Sequence, residues 1–175
     1  MAENRISKTK GLALSALLSA LGVVFLYLGA IVEVASLSMA VIASVCVIIA
    51  VTELGGVYPW LIYAVTSTAS LLVLPRKEAA VAYLLFFGFY PILKKLLEKK
   101  GRLFSLIFKE LIFNIALAAD VVLSMLLLTA GNAEPLPIII AYIVLAEIAF
   151  PLYDLALTRI VLIYVRKIRP KFKLK

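Results

Sequence analysis

The sequence predicts an all-α, polytopic integral membrane protein with six transmembrane helices and both termini in the cytoplasm. Three observations predict it: an excess of apolar residues, long uncharged runs that recur along the whole chain, and a lopsided placement of positive charge. Of 175 residues, 65% are hydrophobic and only 16% charged, and the mean hydropathy is +1.12. Soluble domains average about 45–50% apolar and about 25% charged, so one buried core cannot absorb the excess. A spanning helix needs about 20 apolar residues. Six of them with short connections use the full length as a single membrane domain, 1–175, and leave no room for a soluble one.

The elements follow in order. The first helix is expected over 11–32, ending before "EVASLS". Its apolar run is longer than the 7–15 residues typical of a signal-peptide core, so it reads as an uncleaved helix. The second is expected over 38–53. The third, over 57–74, stops at Pro75. Between these two, "TELGGVYP" holds Gly55, Gly56 and Pro59, all turn formers, and a re-entrant hairpin is an alternative to two full spans. The fourth helix is expected over 78–97 with Pro91 inside it, the fifth over 104–129 before "GNAEPLP", and the sixth over 137–165 with Pro151 inside it. No internal repeat and no low-complexity tract is present.

Charge sets the orientation. Arg5, Lys8 and Lys10 precede the first helix. Lys94, Lys95, Lys99, Lys100, Arg102 and Lys109 cluster around the fourth-to-fifth connection. Arg159, Arg166, Lys167, Arg169, Lys171, Lys173 and Lys175 close the chain. Only Arg76 and Lys77 lie elsewhere, so 16 of the 18 basic residues fall on one side of a six-span model. Basic residues mark the cytoplasmic face, which accounts for the net charge of +8 without nucleic acid. The basic tail, 166–175, reads first as an orientation signal and second as a site for anionic lipid.

Residue types exclude several chemistries. There is no histidine and one cysteine, Cys46, so no internal disulfide and no cysteine or histidine metal site is expected. There is no G-x-x-x-x-G-K-[ST] phosphate loop and no G-x-S-x-G nucleophile elbow. No enzymatic activity and no cofactor are expected of this chain.

Ionisable residues inside spans are costly and mark the bundle interior or a water-filled cavity. Glu110, Asn114 and Asp120 lie on the fifth helix; Glu147, Asp154 and Arg159 lie on the sixth. On consecutive antiparallel helices, depth matching pairs Arg159 with Glu110, Asp154 with Asn114, and Glu147 with Asp120. The expectation is a polar seam: a structural ion pair near the cytoplasm and two carboxylates, Asp120 and Glu147, further out. The alternative is that each faces a different cavity or snorkels to a helix end. Toward the outer face lie Glu33, Ser36 and Ser38, then Ser67, Thr68 and Ser70, then Glu78 and Tyr83, and finally Glu134 and Tyr142. Acids outnumber bases there, which favours a cationic or donor-rich solute. Trp60 and Tyr58 read as interfacial anchors.

Small residues crowd the start of the first helix, "GLALSALLSALG". Ala13, Ala16 and Ala20 share one face; Ser15, Ser19 and Gly22 share the adjacent one. In lipid, smooth surfaces let helices approach closely enough for dispersion to hold them. One such face serves packing within the bundle, and the second serves either further internal packing or an external helix.

With "ALLSA", Ala16 to Ala20, on the first of six helices and both termini inside, the chain resembles the substrate-binding S components of prokaryotic energy-coupling factor (ECF) transporters. The stretch "FFGFYPILKKLLEKK", 86–100, is similar to segments of bacterial membrane proteins grouped with them. The resemblance implies a multi-pass plasma-membrane protein that captures a vitamin-like solute from outside. It also implies docking of Ala13, Ala16 and Ala20 on a transmembrane coupling subunit driven by two ATPase subunits. By position it places solute contacts at Glu33, Ser36, Glu78, Tyr83, Asp120, Tyr142 and Glu147, with 33–38 as a lid. The absence of histidine argues against nickel or cobalt as solute. The rival is a scaffolding membrane protein of envelope or cell-shape assembly, which has less reason to carry Asp120 and Glu147 at depth.

Overall fold

Long uncharged runs leave helix as the conformation that pairs every backbone N–H and C=O within its own segment. The computed structural model, which describes residues 7–98, 101–127 and 135–169, is built this way and contains no strand among those residues. The helices are α1 (Lys8–Ile31), α2 (Ser36–Glu53) after a 3-10 turn at Glu33–Ala35, α3 (Tyr58–Val73), α4 (Glu78–Ala82), α5 (Tyr90–Leu97), α6 (Arg102–Leu127) and α7 (Leu136–Ile163). A π-helical turn at Tyr83–Phe87 joins α4 to α5, and another at Tyr164–Ile168 extends α7. Arg5, Lys99, Lys100, Glu134 and Lys171–Lys175, read above as orientation signals or outer-face acids, lie outside the described residues.

Among the described residues, four helical runs are long and apolar enough to cross a membrane: 8–31, 36–53, 78–97 and 136–167. α3 is apolar but has only 16 residues. At 1.5 Å per residue it measures about 24 Å, short of the roughly 30 Å of hydrocarbon in a bilayer. The turn before it is made by Gly55 and Gly56, both at positive φ (63° and 54°), a conformation glycine adopts without steric cost.

α2 is the hub. Ala40, Ala43, Ser44, Cys46, Val47, Ile48, Ala50 and Val51 bury nearly its whole circumference. On one side lies an aliphatic core shared with α1, α3 and α4, including Leu18, Leu26, Ile62 and Ala80. α1 enters this core with its small face: Gly11, Ser15, Ser19 and Gly22 are buried. At Gly22 a Cβ would stand 3.0 Å from Thr66 Cγ2, so the absence of a side chain lets α3 approach. Ala13, Ala16 and Ala20 remain exposed on the neighbouring face.

On the other side of α2 lies an aromatic core of Phe86, Tyr90, Phe113, Phe150 and Tyr153. Phe113 of α6 stacks on Phe150 of α7 at 4.4 Å and 11°. The Tyr153 hydroxyl donates to Ser44 Oγ at 3.0 Å, tying α7 to the hub. α7 is otherwise peripheral: only 11% of its apolar window is buried.

The fourth run is broken for a local reason. Pro91 has no N–H to give to the carbonyl four residues back. In the π turn before it, Gly88 N donates to Tyr83 O at 2.8 Å, five residues back. The Leu84 carbonyl is thereby freed, and the Tyr63 hydroxyl of α3 takes it at 2.9 Å.

Candidate functional site

Two polar constellations stand on opposite sides of the aromatic core. Tyr142 and Asp154 on α7 mark them, separated by about 18 Å of helix rise.

The first is a cavity of about 460 Å³ between α2, the α4–α5 run, α6 and α7. Regular spacing delivers its walls. On α6, Phe113, Leu117 and Asp120 recur every turn; on α7, Tyr142, Ala146, Ala149 or Phe150, and Tyr153 do the same. Phe86, Phe113, Phe150 and Tyr153 provide the aromatic side, with Phe86 centred 5.2 Å from Phe113 and 5.8 Å from Phe150. Polar groups are few. Asp120 Oδ2 accepts from the Tyr142 hydroxyl at 3.1 Å, and Ser38 of α2 stands in the wall. No ion pair to Asp120 forms among the described residues, and the nearby Glu78 carboxylate adds to its negative field.

The second constellation is a buried charge cluster. Asp154 of α7 receives Tyr90 Oη at 2.6 Å, the Lys94 ammonium, and Lys109 Nζ at 3.2 Å from each oxygen. Lys94 Nζ also reaches the Asp154 carbonyl at 3.0 Å. Glu98 closes the cluster, one oxygen lying 3.1 Å from Lys94 Nζ and 3.0 Å from Lys109 Nζ. Both lysine side chains are about 5% accessible or less, whereas Glu98 is 46% accessible. Two cations and two carboxylates balance, which is the condition under which buried charges are tolerated.

The sequence-predicted residues divide between these places and others. Asp120 and Tyr142 meet in the cavity as a bonded pair. Glu78 flanks it, exposed at the start of α4. Ser36 opens α2 half-buried and outside the cavity wall, which Ser38 enters instead. Tyr83 is not in the cavity: it is fully buried in the aliphatic core, 6.5 Å from the ring of Tyr63. Glu33 lies in the 3-10 turn, with its side chain outside the described residues.

The polar seam is corrected in its register. Asp154 meets Lys109, more than a turn away from the expected Asn114. An amide cannot neutralise a buried carboxylate, and two buried ammonium groups can. Asn114 instead is exposed and donates to the Glu110 carbonyl at 3.1 Å. Glu147 does not meet Asp120; it lies near Glu110 of α6 instead. Arg159 is exposed and forms no ion pair with Glu110 among the described residues. The register follows from the Phe113–Phe150 stack and the burial of Lys109.

Tyr90, Lys94, Glu98 and Lys109 were missed as site-forming residues, because Lys94 and Lys109 read as members of a cytoplasmic basic cluster. The spacing held a signal. Ser105, Lys109, Phe113 and Leu117 recur at i+4, and all four are buried. A lysine within such a stripe needs an internal carboxylate.

No group of three His, Cys, Asp or Glu side chains converges as a metal site among the described residues. No family model, no curated protein and no solved structure matches this chain. The reading of its function therefore stands on the geometry.

Proposed function

We propose that this chain is a membrane-embedded solute-binding subunit of an ECF-type importer, without enzymatic activity of its own. The carrying observation is the cavity: about 460 Å³ of mostly apolar space with a bonded Asp120–Tyr142 pair in its wall. Small-molecule sites are of this kind, concave, apolar and furnished with a few oriented polar groups. An ionisable residue within an apolar helix, lining such a cavity, marks a functional site before it marks a scaffold.

In this reading the protein lies in a prokaryotic plasma membrane, six spans with both termini inside. The cavity then occupies the outer half, and the Asp154 cluster closes the cytoplasmic half. The division of α1 supports the partner. Its serine and glycine face is consumed inside the bundle, and its alanine face, Ala13, Ala16 and Ala20, is left free for a coupling subunit that two ATPase subunits drive.

Co-expression with the coupling and ATPase subunits of a bacterial host, followed by affinity purification in mild detergent, tests the partner. Stoichiometric recovery is expected from the native chain and none from Ala16→Leu/Ala20→Leu. If the native chain emerges alone and monodisperse, the importer reading fails and a scaffolding role takes its place.

A further inference from the structure

The walls of the cavity say more than that a solute fits. Of the nineteen lining residues among those described, Ser38, Asp120, Tyr142 and Tyr153 alone carry a polar side-chain atom, and the Tyr153 hydroxyl is already engaged with Ser44. A hydroxyl-rich solute would leave several buried polar groups unpaired, each stripped of its hydration without a partner in return. An apolar body loses nothing in this space. Asp120 and Tyr142 stand together as a bonded pair, with Glu78 close by. One cationic head opposite one carboxylate, continued by an apolar body, matches this distribution.

The cavity also has a side opening. Leu145 and Leu152 of α7 line it and are 67% and 64% exposed. Leu37 of α2 is 46% exposed and lines it as well. Exposure this large on lining residues belongs to a cavity open on one side rather than to an enclosed chamber. The open side is bordered by α2 and α7, two of the helices apolar enough to cross a membrane, so hydrocarbon rather than water faces it.

We infer that the cavity takes a single-chain amphiphile with a cationic amine head, which enters sideways from the lipid between α2 and α7. The amine pairs with Asp120 and the chain lies along the Phe86, Phe113 and Phe150 rings. This inference rests on the cavity being a solute site and adds the class of solute and its route.

The test uses the full chain in lipid nanodiscs, where no detergent competes, and an alkylamine bearing a diazirine on its chain. The matched alkyl carboxylic acid is the control, and labelled residues are read by mass spectrometry. Saturable labelling at Leu145, Ala149 and Leu152, favouring the amine by roughly tenfold, is expected. Asp120→Asn should remove the preference, Asp120→Glu should keep it, and Ala149→Phe should block labelling by filling the cavity. Equal labelling by amine and acid, or unsaturable labelling spread to Leu12 and Leu17 on the outer face of α1, overturns the inference. If the amphiphile fails but a tail-less, water-soluble arylalkylamine stabilises the protein in an Asp120-dependent manner, the lateral route and lipid-like class fall while the solute site stands. If neither amine engages, both fall.

Discussion

At Asp154 a single carboxylate answers two ammonium groups and a phenol, and its removal is far more costly than removal of its visible neighbour. Asp154→Leu leaves Lys94 and Lys109 buried with only the half-exposed Glu98 between them. Breaking a buried pair in this way typically costs about 3–5 kcal/mol. Glu98→Gln removes a partner in contact with water, where an ion pair is worth about 1 kcal/mol or less. Thermal unfolding in detergent, followed by loss of the monodisperse peak, should rank Asp154→Leu as severe and Glu98→Gln as mild. Equal losses would mean that Glu98 holds the lysines as firmly as Asp154 does. Tyr90→Phe should fall between, losing one hydrogen bond to a charged group, about 1.5–3 kcal/mol.

Among the elements, α1 and the α4–α5 run make opposite demands on small changes. On α1, Ser15→Leu and Ser19→Leu drive bulk into a packed interface and should cost about 1–3 kcal/mol each. Ala16→Leu and Ala20→Leu, one residue along, face outward and should leave thermal stability unchanged. A loss of stability from the alanine changes would return that face to internal packing. In the α4–α5 run, Tyr63→Phe strands the Leu84 carbonyl and should cost about 1–3 kcal/mol; unchanged stability would show that another donor reaches it. The two faces of α1 were legible in the sequence because period and residue size suffice to separate them. The break before Pro91 was legible only as a proline. The carbonyl that the π turn frees is taken by Tyr63, twenty-one residues upstream, and a contact between helices leaves no local pattern. The α6–α7 register was hidden for the same reason: depth matching assumes a symmetric connection, whereas the Phe113–Phe150 stack sets the true offset.

For the molecule as a whole, the number of spans turns on α2 and α3, the pair the sequence left open. Helix positions were readable because each apolar run ends in glycine, proline or charge. Whether a run crosses the bilayer is a different question, since an 18-residue α2 and a 16-residue α3 measure about 27 and 24 Å. Both models, two spans or a re-entrant hairpin, leave the basic termini on the same side. They differ only at the turn, 54–57, which reaches the cytoplasm in the six-span model and stays within the membrane in the hairpin model. Charges nearby favour the first: Glu53 binds Arg169, beyond the end of α7, at 3.2 Å. A Cys46→Ala background removes the chain's lone thiol, which is buried. Val57, 67% exposed, can then carry a new one. In vesicles of known orientation, Val57→Cys should react with a membrane-impermeant maleimide from the same side as Gly101→Cys, while Lys77→Cys reacts only from the opposite side. Protection of position 57 from both sides would reduce the bundle to four spans with a re-entrant pair, and would move the α1–α3 core toward one leaflet.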